Sequence, residues 1–283
     1  MGYPPSDILI WSRSAKNGAS FFHRALREFK GIAEVVREQK EAVSGELRIG
    51  IIPTLGPYLL PRFIPDMLAS YARIRVTVRE MPTVDMVAAL RRDMLDVGIA
   101  ATPLEKKGIR EVPIFYEPFH GFVAAGHPLA RREHLSAADL VADEMLLMNS
   151  GHCLHDQVSQ LCMGIADSRT ETSARLRLVS GSLEGLIRIV ESGHGVTLLP
   201  ELAAMTLPDS SRRLLRPIEP PVPARQLSLI THGEGIKTRL LEVLRQAILK
   251  KVPEGLKKKG KRWRVIDAKS IQPMPFSHRG PGG

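Results

Sequence analysis

The chain has 283 residues, 43% of them hydrophobic and 25% charged, and its net charge is +10 at pH 7. These proportions are ordinary for a soluble globular protein with one large domain or two modest ones. No apolar run approaches the roughly 20 residues that span a bilayer, and the N-terminal ILIW (Ile8–Trp11) is too short for a signal peptide. The sequence therefore argues against a membrane or secreted protein and predicts a cytoplasmic location.

The positive charge is concentrated near the C-terminus. The stretch Lys250–Arg264 holds eight basic side chains and one acidic side chain, so most of the net charge lies there. A basic run that ends in a Pro- and Gly-containing segment is typical of disorder, and we expect residues 251–283 to form a basic disordered tail. The rest of the chain is not basic enough to be a nucleic-acid-binding body.

The N-terminal part contains one predicted helix. Residues 1–20 show no sustained periodicity and stay unassigned. Between Phe21 and Gly45 apolar residues recur at i, i+3 and i+4 spacing, and charged residues cover the remaining face. This pattern predicts an amphipathic helix that stops at Ser44–Gly45. Such a helix either packs on its own domain or pairs with a partner chain.

The next elements alternate between strand and helix. The pattern predicts strands at LRIGII (47–52), Ile74–Glu80 and Leu95–Ala101, with helices at Tyr58–Ala72 and Thr83–Met94. This βαβαβ order implies a parallel sheet with right-handed crossovers. A second α/β stretch follows, with a strand at 144–150, a helix through the cysteines, a helix at 182–195, strands Gly195–Pro200 and Arg225–Thr231, and a last helix Lys237–Lys250.

Two α/β lobes with a cleft between them are the architecture that this order predicts. Ligands in such sheets bind at the carboxyl ends of strands. Thr54 follows the first strand and Thr83 begins a helix, so both are candidates for the cleft. The alternative is that both threonines are ordinary helix N-caps, and the pattern alone favours that alternative.

The only two cysteines lie in GHCLHDQVSQLC (Gly151–Cys162), too few for a disulfide framework. Apolar spacing predicts that this segment is helical, with Cys153 in the first turn and Cys162 on the buried face. The helix dipole favours a thiolate at Cys153, and His152 could add positive charge or a hydrogen bond.

A continuous helix would separate the two cysteines by about 13.5 Å along its axis. A disulfide needs Cα atoms within about 7 Å, so the segment cannot be helical and cross-linked at once, and oxidation would have to unwind it. The pattern alone favours two buried structural cysteines. The open alternatives are a redox switch, a cysteine–histidine hydrolase, and a metal site formed by His152, Cys153, His155 and Cys162.

Four segments together resemble the OxyR family, the hydrogen-peroxide-sensing branch of the LysR-type transcriptional regulators. They are GELRIGIIPTLGPYLLP (Gly45–Pro61), the cysteine segment, SLEGLIRIVESGHGVTLLP (Ser182–Pro200) and PARQLSLI (223–230). The resemblance implies an α/β fold of two Rossmann-like, periplasmic-binding-protein-like lobes with an interlobe cleft. It assigns residues 21–45 to a linker and dimerisation helix, 46–118 and 227–250 to lobe I, and 119–226 to lobe II.

The resemblance also implies a chemistry. Cys153 matches the peroxide-reactive thiolate and Cys162 the resolving thiol, which together form a reversible disulfide through a sulfenic acid. The residues implied to contact peroxide or lie near the switch are Thr54, Thr83, His152, Gln157 and Arg225. No metal or cofactor is implied. Each molecule would react once and then need a thiol reductant such as glutaredoxin or thioredoxin, so the protein is not expected to be an enzyme.

The partners implied by the resemblance are a second copy of the chain in a homodimer or homotetramer, promoter DNA and RNA polymerase. Only Met1–Ser20 precede the linker helix, fewer than the roughly 40 residues that a DNA-reading domain needs. We therefore expect this chain not to bind an operator specifically. The alternatives are a LysR-type domain that binds an organic metabolite in the cleft, a bilobal solute-binding protein, and a partner that dimerises with a full-length regulator.

Overall fold

The computed structural model describes residues 43–141, 145–148, 154, 157, 179–180, 182–233 and 237–267. The predicted helix over 21–45 lies outside these residues except at its end, where Gly45 is already the first residue of a strand. His152, Cys153 and Cys162 also lie outside them. No helix within the described ranges is long and apolar enough to cross a membrane.

Lobe I is built on three parallel strands, β1 (Gly45–Ile51), β2 (Ile74–Glu80) and β3 (Val97–Thr102). β1 lies between β2 and β3 and pairs with both. Helices α1 (Gly56–Ser70) and α2 (Thr83–Arg91) make the crossovers. The predicted βαβαβ unit is confirmed, because alternating strands and amphipathic helices of this length are determined by local periodicity.

Helix α1 begins at Gly56, two residues before the predicted start at Tyr58. Pro57 lies in the first turn, where the missing N–H removes no intrahelical hydrogen bond. Pro61 and Pro65 lie inside the helix and share the solvent-exposed face with Pro57, since they are four residues apart. The buried face instead carries Leu59, Phe63 and Met67, whose burial stabilises the helix. The lost hydrogen bonds therefore fall on the side that faces water.

Two long antiparallel strands join the lobes. β4 (Ile109–Val123) was not predicted, whereas β9 (Val222–His232) extends the predicted strand at both ends. β9 lies between β3 and β4 and is antiparallel to both. β4 pairs with β9 up to Pro118 and with β7 (Val196–Pro200) from Phe119 onward. The division into lobes at residues 118 and 119 stays a prediction, which this change of partner supports.

Lobe II is completed by short elements around β4 and β7. Strands β5 (Leu147–Met148) and β6 (Val179–Ser180) form a separate parallel pair, and β8 (Leu215–Arg216) pairs with β4. Helix α3 (Leu183–Glu191) packs its apolar face on the core. Gly193, two residues after its end, has a φ of 99°, which side-chain-bearing residues rarely adopt. The short helices α4 (Glu201–Ala204) and α5 (Asp209–Arg212) follow β7.

The C-terminal segment differs from the disordered tail that its charge predicts. Helix α6 (Thr238–Lys251) is followed by a 3₁₀ turn at Glu254–Leu256 and by β10 (Trp263–Val265), which pairs with β9 in parallel. The prediction is therefore wrong for residues 251–267, and 268–283 lie outside the described part. The physical reason is that widely spaced apolar side chains are buried, Leu256 and Ile266 to 6% exposure each.

Candidate functional site

A buried ion pair lies where the two lobes meet. Glu117 on β4 and Arg225 on β9 are opposite each other in the ladder, and both side chains are 0% exposed. Glu117 Oε2 accepts from Arg225 Nε at 2.9 Å and lies 2.8 Å from Nη2. Glu117 Oε1 accepts from the backbone N–H of Leu202 in α4 at 2.7 Å. Both carboxylate oxygens are thus satisfied, as a buried charge requires.

The guanidinium of Arg225 also holds the loop that follows β1. Nη1 donates to Thr54 Oγ1 at 2.9 Å, and Nη2 donates to the Thr54 carbonyl oxygen at 3.1 Å. The guanidinium carbon lies 5.9 Å from the ring centroid of Phe119, within cation–π range. Arg225 therefore connects β1, β4 and the start of α4. Among the predicted site residues that lie in the described ranges, Thr54 and Arg225 are in direct contact.

The threonines are not helix caps, so the interpretation that the pattern favoured is wrong. Leu55 is the N-cap of α1 and Pro82 is the N-cap of α2, and neither makes a side-chain capping bond. The loops after β1 and β2 lie side by side, because Met81 N–H donates to the Ile51 carbonyl at 3.0 Å. Thr83 is 2% exposed, and its Oγ1 has no hydrogen-bond partner among the residues that the structure describes.

Gln157 is helical, fully buried and in contact with the C-terminal segment. Its Nε2 donates to the Ile266 carbonyl at 3.3 Å, and Ile266 N–H donates to the carbonyl of Ala224 at 2.9 Å. Ala224 immediately precedes Arg225. Gln157 Oε1 has no hydrogen-bond partner within the described ranges. The geometry of His152, Cys153 and Cys162, which lie outside those ranges, stays a prediction.

A second contact links the lobes at one end of α1. Tyr58 in α1 is buried, and its hydroxyl donates to Glu184 Oε1 at the start of α3 at 2.7 Å. Burial, together with the hydrogen bond to Glu184, raises the pKa of Tyr58 far above its ordinary value. The phenol therefore stays protonated and keeps donating to the carboxylate.

Sequence reasoning missed Glu117, Tyr58 and Glu184. Glu117 had one usable signal, since it is the single acidic residue in the otherwise apolar and aromatic stretch IFYEPFHGFV (114–123). An isolated acid in such a stretch is buried only when it is paired. Tyr58 and Glu184 had no signal, because they are 126 positions apart and belong to different lobes.

Two buried oxygens could each take a hydrogen bond from a small neutral polar molecule. A buried polar atom without a hydrogen bond costs about 1–3 kcal/mol, so Thr83 Oγ1 and Gln157 Oε1 favour a molecule or water that supplies the missing bonds. The hydroxyl can donate or accept, whereas the amide oxygen can only accept. Arg225 and Glu117 neutralise each other, so the pair adds no net charge. Among the described residues no group of three or more His, Cys, Asp or Glu side chains could hold a metal ion.

Comparisons with known proteins place this arrangement in a family. The family model described as the LysR substrate binding domain matches residues 40–253. The OxyR regulator of Escherichia coli K12 is 37% identical over 228 residues, covering 79% of this chain and 72% of that protein. The hydrogen peroxide-inducible genes activator of Dickeya chrysanthemi is 37% identical over 206 residues, covering 72% of this chain and 66% of that protein.

Solved structures support the same family assignment as the sequence relatives. The crystal structure of OxyR from Porphyromonas gingivalis superposes with a TM-score of 0.71 at 30% identity, covering 79% of this chain and all of that one. The reduced OxyR regulatory domain from Pseudomonas aeruginosa gives 0.64 at 30% identity, covering 73% of this chain and 98% of that one. The class defined by fold and family model is thus the two-lobed LysR substrate binding domain. Within that class, this chain belongs to the OxyR family of transcriptional regulators.

Proposed function

We propose that this chain is the sensing part of a LysR-type transcription regulator that detects hydrogen peroxide and controls oxidative-stress genes. The signal is a reversible disulfide between Cys153 and Cys162. Two observations support the proposal besides the family. The relatives at 37% identity are named as hydrogen peroxide-inducible activators or OxyR. Leu154 and Gln157, which lie between the two cysteines in sequence, are helical and buried, as a closed thiol form requires.

The observation that carries the proposal is the pair of buried oxygens without partners, Thr83 Oγ1 and Gln157 Oε1. Hydrogen peroxide has two O–H donors and acceptor lone pairs, so it can supply the missing hydrogen bond to either oxygen. The hydrogen bonds of Arg225 go to Glu117 and Thr54, which ties up the guanidinium that a carboxylate metabolite would need. The site therefore favours a small neutral oxidant over an organic acid.

The chemistry proceeds in two balanced steps. The Cys153 thiolate attacks one peroxide oxygen, the O–O bond breaks, and hydroxide leaves while the sulfur becomes a sulfenic acid. The Cys162 thiol then attacks that sulfur, the S–OH bond breaks, and water leaves with the proton of Cys162. The overall result is a two-electron oxidation of two thiols to one disulfide. A continuous helix would separate the cysteines by about 13.5 Å along its axis, so in that conformation the second step would require the segment to unwind.

The remaining parts of the proposal concern partners. We propose that the protein acts in the cytoplasm as a homodimer or homotetramer on promoter DNA and engages RNA polymerase. Glutaredoxin or thioredoxin would return the disulfide to thiols. The chain spans only 66% of the Dickeya protein and 72% of the Escherichia coli protein, so these partners belong to the proposal rather than to the family assignment.

Peptide mapping by mass spectrometry under non-reducing conditions tests this function. One equivalent of hydrogen peroxide should produce a Cys153–Cys162 cross-link in the wild-type chain. Cys162→Ser should stop at a sulfenic acid on Cys153, which a dimedone adduct detects, and Cys153→Ser should give neither product. Unmodified thiols in the wild-type chain after this treatment would rule the proposal out and favour the metabolite-binding alternative.

A further inference from the structure

The C-terminal segment carries a surface that the peroxide chemistry does not use. This segment lies beyond the family model, which ends at residue 253. It is attached to the body by a strand pairing, in which Val222 N–H donates to the Arg262 carbonyl at 2.8 Å and Ile266 N–H to the Ala224 carbonyl at 2.9 Å. Leu256 and Ile266, which belong to the segment, have buried side chains. The pairing therefore holds the backbone of the segment in a fixed position on the domain.

Its exposed side chains are mostly basic. Five cationic side chains within seven residues are exposed, and together they are called the basic ridge: Lys258, Lys259, Lys261, Arg262 and Arg264. No ion pair links any of them to an acidic side chain in the part of the chain that the structure describes. Neighbouring lysines behave differently, since Lys251 pairs with Asp66 and Lys257 pairs with Glu254.

We propose that the basic ridge binds the phosphate backbone of duplex DNA without regard to base sequence. Uncompensated cations in a row, held on a rigid support, fit a polymer of regularly spaced anions, and the affinity comes from counterion release. A lipid surface fits less well, because the large hydrophobic side chains that are exposed in the described ranges, Leu68, Met94 and Met205, lie outside the segment. The ridge would hold the sensing domain close to DNA, whatever supplies operator recognition.

Fluorescence anisotropy with a labelled 30-base-pair duplex of arbitrary sequence tests the ridge on the full chain. The variant carries Lys258→Glu, Lys261→Glu and Arg264→Glu. Each lost phosphate contact changes the slope of log affinity against log salt by about 0.9, so three make it shallower by about 2.7. Between 50 mM and 200 mM salt the wild-type chain should therefore lose on the order of 40-fold more affinity than the variant. A triple variant with Gln at the same positions should bind with intermediate affinity.

A second triple variant controls for net charge. Arg92→Glu, Lys107→Glu and Arg110→Glu change the charge by the same amount at exposed positions. Arg110 pairs in the ladder with Thr231, about 23 Å along β9 from Ala224, which is more than a Debye length at 0.1 M salt. This control should lose no more than about threefold in affinity. Far-UV circular dichroism and the melting temperature establish that every variant folds.

Three outcomes would overturn the inference. In the first, the wild-type chain does not bind the duplex at 50 mM salt. In the second, the ridge variant and the control variant lose the same amount of affinity for the duplex. In the third, the wild-type chain binds polyglutamate of matched charge as tightly as it binds the duplex. The last outcome would assign the ridge to acidic polymers in general. Cys153→Ser should bind the duplex as the wild type does, so a failure of the peroxide proposal and a failure of this one are distinguishable.

Discussion

The buried pair of Glu117 and Arg225 supports the sharpest stability prediction. Changing Glu117 to Gln keeps the size and one acceptor for the Leu202 N–H, but it leaves the guanidinium of Arg225 buried without a counter-charge. Both side chains are 0% exposed, so water cannot compensate. We expect the variant to lose stability while keeping the same fold, because Thr54 still accepts two hydrogen bonds from Arg225.

The size of the stability loss in Glu117→Gln follows from the burial of the pair. At the 2.8 Å separation of Nη2 and Oε2, two unit charges attract by about 6 kcal/mol with an effective dielectric constant of 20. Much of this offsets the cost of removing both charges from water, so the loss on breaking the pair is expected to be about 3–5 kcal/mol. Replacing both partners, as Glu117→Leu with Arg225→Met, should cost clearly less, since no unpaired charge stays buried.

Urea unfolding followed by circular dichroism measures these differences. A partly exposed pair of the same length provides the control: Arg188 Nη1 lies 2.8 Å from Glu191 Oε2, and the Arg188 side chain is 73% exposed and the Glu191 side chain 18%. Arg188→Gln should cost at most about 1 kcal/mol. The reasoning would be refuted if Glu117→Gln cost no more than Arg188→Gln, or if the double replacement cost more than the single one.

Three further changes test other parts of the structure. Burial opposes ionisation of Asp96, but hydrogen bonds from Arg48 outweigh it and hold the pKa of Asp96 below its ordinary value. The ionised carboxylate of Asp96 therefore stabilises the fold above about pH 3.9, and this stabilisation is lost as the pH falls through the lower pKa that Asp96 has in the folded state. In urea unfolding, Asp96→Asn should cost about 2 kcal/mol at pH 7 and much less at pH 2. Ile266→Ala should cost about 2–4 kcal/mol in the same assay, because its buried side chain anchors the C-terminal segment. Gly98→Ala should cost about 1–3 kcal/mol, since the new methyl group would lie 2.4 Å from a methionine sulfur, whereas Gly126→Ala meets no atom within 4 Å and should be neutral.

The outcomes that would contradict these three are equally specific. A constant penalty for Asp96→Asn from pH 7 to pH 2 would show that its charge is not stabilising. An unchanged free energy of unfolding in Ile266→Ala would mean that the segment after α6 is not docked on β9. Equal effects of the two glycine substitutions would contradict the close packing around β3.

The local hydrophobic pattern of the sequence was sufficient to predict most of the strands and helices of lobe I. The strand Ile74–Glu80 was predicted with its observed bounds, and the β1–β2–β3 unit followed from alternation and crossover rules. It was insufficient for β4, where Pro113 and Pro118 interrupt the apolar alternation and the register with β9 shifts between Pro113 and Phe115. That strand is stabilised by its pairing with β9 and β7 rather than by its own propensity.

The sequence by itself determined the alternating α/β order and the family, and it offered Thr54 and Arg225 as candidates for the site. Only the tertiary structure decided that Glu117 neutralises Arg225 and that the basic segment after α6 folds. The physical reason is the same in both cases. A charged or weakly apolar residue is stable in a folded position only when a distant part of the chain supplies its partner, and composition and periodicity contain no information about which distant part that is.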